Sequence, residues 1–122
     1  MRQIVEQYLE YYNSFLIDKM LDLFTEDCVF QNISNTSDTM TCIGKDELKA
    51  LASQTRSIFQ TRQQTATNWI IAPEKIAIEI NFTAVFATDL PNGVKQGQQY
   101  SLQGVSIYEF EGEKIKRLVD YS

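Results

Sequence analysis

Apolar side chains at Ile4, Tyr8, Tyr11, Tyr12 and Phe15 recur at helical spacing, with Val5 and Leu9 beside them. The chain therefore opens on an amphipathic helix. A second, short helix is expected after Asp18, which would act as its N-cap and precede the buried Met20, Leu21 and Phe24. Thr25-Glu26-Asp27 interrupts that pattern, Cys28 to Ile33 reads as a strand, and Ser34 to Thr41 reads as a polar loop. From Lys45 a third helix carries Leu48, Leu51, Ala52, Thr55, Ile58 and Phe59 on one stripe.

After Phe59 the period changes to two. Gln63 to Ile71 is a strand with Trp69 and Ile71 on one face, and Pro73-Glu74-Lys75 is a turn. Ile76 to Leu90 is a long strand, with Ile76, Ile78, Ile80, Phe82, Ala84 and Phe86 on one face and Glu79, Asn81, Thr83 and Val85 on the other. Pro91-Asn92-Gly93 turns the chain into a strand from Gln98 to Phe110, and Glu111-Gly112-Glu113 turns it again into a last strand, Ile115 to Tyr121. Helices early and strands late predict an α+β fold with helices packed on one sheet face.

Length and charge narrow the function. The 122 residues suit one domain, 1–122, large enough for a core without a disulfide. Net charge is −5 and the basic residues are scattered, which disfavours nucleic acid, because phosphate contacts need a concentrated basic face. The first residues are amphipathic rather than a secretory leader, and no window approaches the roughly 20 apolar residues of a membrane span. A cytoplasmic location with Cys28 and Cys42 as buried free thiols is expected. The chain has no histidine. That removes the commonest general base, the Ser-His and Cys-His nucleophile systems and most zinc sites. Without a metal cluster or a Gly-rich phosphate loop, no metal and no cofactor are expected.

Three segments carry a family resemblance: Tyr8 to Phe30 with its Leu-Phe-Thr-Glu-Asp run, Ile43-Gly44-Lys45-Asp46-Glu47-Leu48, and the ending Tyr108 to Ser122 with its Tyr-Glu-Phe-Glu-Gly-Glu-Lys-Ile. In this order they resemble the nuclear-transport-factor-2-like (NTF2-like) superfamily, which includes ketosteroid isomerases, SnoaL-type polyketide cyclases and limonene-epoxide hydrolases. The resemblance implies an NTF2-like cone, with three N-terminal helices packed on a strongly curved, mostly antiparallel sheet. It also implies a hollow for a small apolar molecule and a homodimer through the outer sheet face. The walls expected for the hollow are Tyr8, Tyr12, Phe24, Phe30, Leu51, Thr55, Trp69, Thr83 and Val85.

The chemistry is less defined. Against the ketosteroid isomerases, Tyr8 falls on the oxyanion-donating tyrosine, Asn32 where the aspartate base belongs, and Ser106 on the second acid position. An amide cannot accept the proton, so steroid-type isomerisation is disfavoured. Against the epoxide hydrolases, Phe24 to Asn32 (FTEDCVFQN) is similar, with Asn32 on the water-holding asparagine and Asp120 on the water-activating aspartate. Their Arg-x-Asp motif falls on Thr83 and Val85, so its acid is missing. SnoaL-type members that pair His with Asp are excluded by the lack of histidine. The candidate catalytic residues are therefore Asp120, Asn32 and Tyr8. An enzyme, a non-catalytic binding module and a dimerisation module all remain open, and the direction of Asp120 depends on a strand register that the sequence does not fix.

Overall fold

A computed structural model describes residues 1–122. Two helices, α1 (Arg2–Asn13) and α2 (Ile17–Leu21), lead into β1 (Phe24–Ile33) and β2 (Met40–Ile43). Helix α3 (Lys45–Arg56) follows, then β3 (Phe59–Ala72), β4 (Lys75–Phe86), β5 (Gln99–Glu111) and β6 (Lys114–Tyr121). The result is α+β, with six strands in one mixed sheet of order β2-β1-β6-β5-β4-β3. Neighbours pair antiparallel except β1 and β6, which run parallel. That parallel pair joins the first strand to the last and sets Asn32 beside Asp120 in register.

Several boundaries differ from the expectation. Leu16, not Asp18, is the N-cap of α2, and Asp18 lies in the first turn, where its charge suits the helix dipole. Strand β1 starts at Phe24 because an irregularity between Phe24 and Val29 keeps the polar Thr25-Glu26-Asp27 within the strand; such bulges bend a strand without ending it. Strand β2 was not foreseen. It has four residues, only one of them buried, so it offers no periodicity to read. Helix α3 ends at Arg56, and Phe59 already belongs to β3. Strand β4 ends at Phe86, where the apolar alternation stops.

Alternation along β4 turns Ile76, Ile78, Ile80, Phe82, Ala84 and Phe86 inward, all of them buried. Helix α1 lays Val5, Tyr8 and Leu9 against this face, and α3 adds Leu48 and Ala52. Near the β5–β6 turn the packing is solid: Ile76, Tyr108, Phe110, Ile115 and Leu118 are all at most 1% exposed. Further along the same strands the layers part. A cavity of about 460 Å³ lies between the sheet and the helices.

Helix α1 is tied to β3 by an amide clasp. Asn13 Nδ2 donates to the Gln64 carbonyl at 3.1 Å, and its Oδ1 accepts the Gln64 N–H at 2.7 Å. The helix then ends in a Schellman motif: the Leu16 N–H bonds the Tyr11 carbonyl and the Phe15 N–H bonds the Tyr12 carbonyl. Phe15 takes the left-handed position at φ 56°, where glycine is usual. The Arg56 and Arg62 guanidinium groups lie over its ring, at 5.3 and 4.4 Å.

Candidate functional site

The hollow takes walls from every layer. Tyr8 and Tyr12 come from α1, Leu51 and Thr55 from α3, Phe30 and Asn32 from β1, and Asp120 from β6. Its volume falls within the range of small-ligand sites, and most of its lining is apolar. Of the expected walls, Tyr8, Tyr12, Phe30, Leu51 and Thr55 line it. Phe24 and Trp69 do not. Phe24 is sealed in the packed end at 1% exposure, and Trp69 packs against that core with the Arg2 guanidinium 4.3 Å above its ring. Thr83 and Val85 are also corrected: Phe82 and Ala84 point inward, so the period of two turns Thr83 and Val85 to the outer face. There they border a shallow depression with Gln63 and Ser101.

Asp120 reaches the hollow at the border between its two regions. One register row crosses the sheet through Trp69, Ile78, Ser106, Asp120 and Asn32. On one side of the row the core is filled; on the other lies the cavity. Ser106, fully buried, donates its hydroxyl to Asp120 Oδ1 at 2.6 Å. Burial raises the Asp120 carboxyl to about 6, against the opposing pull of the Ser106 hydrogen bond. Desolvation of the charged form is the physical cause. Gly104 permits the close approach of β6 here, since a β-carbon on it would meet the Tyr121 carbonyl oxygen at 2.5 Å.

Asn32 is exposed at the rim of the hollow. The hydrogen-bond donor to Asp120 is Ser106 and not Asn32. Tyr8 is buried and stacks edge-on against Phe24 and Tyr108. Burial first, and the Asp120 charge second, hold the Tyr8 phenol well above its ordinary value. Burial also raises Tyr108, with Tyr8 and Asp120 adding to it, and the Tyr108 hydroxyl has no partner. Both phenols thus stay protonated near neutrality and remain hydrogen-bond donors.

Two residues of the hollow carry no signal in the sequence pattern. Arg62 and Gln64 face inward from β3 and line the hollow, at 5% and 6% exposure. The Arg62 guanidinium lies 3.7 Å from the centre of the Tyr12 ring, and its Nε donates to the Tyr12 carbonyl at 3.0 Å. No three metal-ligating side chains converge anywhere in the chain. No helix is long and apolar enough to cross a membrane.

Helices packed on one face of a six-stranded mixed sheet, with a largely apolar hollow between the layers, make an NTF2-like fold. The sequence matches the SnoaL-like domain family over residues 5–118, and the chain belongs to that family. Solved structures share the fold. A hypothetical protein with a ketosteroid isomerase-like fold from Catenulispora acidiphila, in complex with trimethylamine, superposes with TM-score 0.81 at 16% identity, covering 98% of this chain and 84% of that one. AclR, a putative hydroxylase from Streptomyces galilaeus, gives 0.78 at 15% identity over 98% and 85%. A putative polyketide cyclase from Pseudomonas putida gives 0.75 at 18% identity over 98% and 88%. No curated protein matches the sequence significantly.

Proposed function

We propose that the hollow binds a small, largely apolar carbonyl compound and performs cofactor-free proton transfer on it, with Asp120 as the base. One observation carries this reading: a carboxylate facing an apolar cavity, oriented by Ser106 and raised to about 6. A base is most effective when its pKa lies near the working pH, and this group is mostly ionised at pH 7 while more basic than an ordinary aspartate. Asp120 takes a proton from the carbon beside the carbonyl. The C–H electron pair moves into the new C=C bond, and the carbonyl π pair moves onto oxygen, giving an enolate. A phenol donor from Tyr8 stabilises that oxygen. Where the substrate carries a β,γ double bond, the enolate is a dienolate and return of the proton at its γ carbon is isomerisation; where it carries a second carbonyl, attack of the enolate carbon pushes that π pair onto oxygen, which takes the proton back from Asp120, and the result is cyclisation. Asn32, at the rim, orients the substrate. The family, and the putative polyketide cyclase and putative hydroxylase that share the fold, support a role of this kind.

Deuterium uptake from D2O into a panel of small enolisable ketones, followed by NMR, tests the reading. The wild type is expected to exchange, and Asp120→Asn to slow exchange by about 10²–10⁴-fold. Exchange that survives the substitution removes Asp120 as the base. Tight binding of the same ketones with no exchange would favour a non-catalytic binding module, which the exposed placement of Asn32 and the weak acidity of the buried phenols also support.

A homodimer through the outer sheet face is part of the proposal. The register row Ile70, Ala77 and Ile107 lays an apolar stripe across that face, with Ile70 62% exposed and Ala77 and Ile107 partly exposed. Sedimentation equilibrium should show a dimer that Ile70→Lys weakens; a monomeric wild type would refute it.

A further inference from the structure

The wall of the hollow on β3 holds a positive charge that no acidic side chain of the protein pairs with. Arg62 is 95% buried by its 5% exposure, yet none of the ion pairs in the molecule includes it; those pairs are formed by Arg2, Lys45, Lys49 and Arg117. Its neighbour in charge is another cation. The Arg56 guanidinium also lies over the Phe15 ring, donates to the Phe15 carbonyl at 2.7 Å, and lacks an ion-pair partner. Two guanidinium groups therefore meet at one aromatic ring, in a chain whose net charge is −5. Burying a charge is costly unless it is paired and hydrogen-bonded.

Partial compensation is present. The Tyr12 and Phe15 ring faces attract the Arg62 guanidinium, and Nε satisfies the Tyr12 carbonyl at the end of α1. The Tyr12 hydroxyl accepts a second hydrogen bond from the guanidinium, so these contacts use two of five N–H donors. Apart from that Tyr12 contact, the two terminal nitrogens meet no protein acceptor and are not sealed from solvent, being absent from the buried atoms that lack partners. Gln64, on the same inward face two residues on, has a buried Oε1 with no partner. An amide oxygen and nitrogen exchange by rotation about the terminal bond, so Gln64 can turn an N–H toward the same place. Asp120 does not serve as the counterion: it is held by Ser106, and its carboxyl is displaced by burial and that hydrogen bond alone.

We infer that the ligand of the hollow is an anion, carrying a carboxylate or an equally acidic oxygen that docks on the free edge of Arg62 beside Gln64, with its apolar body against Tyr12, Phe59 and Phe82. The three aromatic side chains line the cavity at this end, and a ring-sized body fits beside them. The flat guanidinium edge matches a carboxylate by two parallel hydrogen bonds. This rests on the ligand-binding reading of the hollow and narrows its substrate class to acidic carbonyl compounds. Arg62 thereby fixes one end of the ligand, and Asp120 meets the other.

Matched acid and amide probes test it: benzoate with benzamide, and 2-naphthoate with 2-naphthamide, titrated by calorimetry at one fixed pH, with amide NMR shifts at Tyr12 and Leu51 locating the bound molecule. The wild type is expected to bind the acid of a pair about 10- to 100-fold more tightly than its amide, the range of a charge-assisted hydrogen bond. Arg62→Met should erase that preference while leaving amide affinity within about 2-fold, and Arg62→Lys should keep part of it. Equal affinities in the wild type, or an Arg62→Met variant that weakens acid and amide alike, would overturn the inference and leave Arg62 as a clamp on α1. If the variant does not fold, the wild-type ratio alone decides. Binding of neither member of any pair sinks the ligand-binding reading itself, and the inference with it; equal binding sinks only the anion.

Discussion

The two ends of the same sheet obey different rules. Toward the β5–β6 turn the inward row runs Ile76, Ile78, Tyr108, Phe110, Ile115 and Leu118, all at most 1% exposed. Toward the other end the inward row on β3 is Arg62 and Gln64, and the facing side chains enclose about 460 Å³. One end is built to hold the chain together; the other keeps polar groups desolvated and space unfilled. Interiors normally pack to crystal density, so an empty end is a cost that function must explain. Asp120 and Ser106 sit on the register row between the two ends, where the rigid side fixes the carboxylate and the open side gives it a substrate.

Truncating a side chain at each end should break the symmetry most visibly. Phe110→Ala removes a sealed ring and is expected to cost about 3–5 kcal/mol in urea unfolding. Leu51→Ala, whose side chain already faces the cavity, should cost only about 1 kcal/mol, because its contacts on one side are missing already. Equal losses would mean that the hollow closes in solution.

A smaller effect concerns pH. Asp120 has a folded value of about 6, against an ordinary 3.8. Between those values the native state holds more of its proton than the unfolded chain. Its contribution to stability is therefore complete below about pH 4 and is lost as pH rises through about 6. Asp120 keeps part of its surface in solvent, so the loss amounts to at most about 3 kcal/mol by pH 7. Asp120→Asn should flatten this part of the stability curve and be the more stable form at pH 7, with the difference from wild type shrinking below pH 4. A wild-type curve that rises between pH 4 and 6 in step with Asp120 would contradict the desolvated carboxylate.

What the sequence showed and hid follows the same division. On β4 every second residue from Ile76 to Phe86 is apolar, so the sequence alone identifies its inward face. Strand β3 misled. Trp69 and Ile71 mark the inward face near its end, and counting back by twos gives Thr67, Thr65 and Gln63. An irregularity between Ala66 and Asn68 shifts the parity, so Ala66, Gln64 and Arg62 turn inward instead. Nothing in Thr61-Arg62-Gln63-Gln64-Thr65 alternates in hydrophobicity, and a buried arginine leaves no periodic trace. The resemblance to the epoxide hydrolases places Thr83 and Val85 in the hollow, although the parity of β4 itself points them outward. The side of β6 on which Asp120 lies depended on the β5–β6 turn, where the register slips between Glu109 and Phe110. Long-range pairing decided both points, and local pattern carries no record of it.

The most direct test of a desolvated base at this border is a carbon-13 NMR titration of the Asp120 carboxyl, assigned by its loss in Asp120→Asn. The account predicts a midpoint of about 6, moving when an acidic ligand fills the hollow. A midpoint near 3.8 would show a solvated carboxylate and contradict Asp120 as the base.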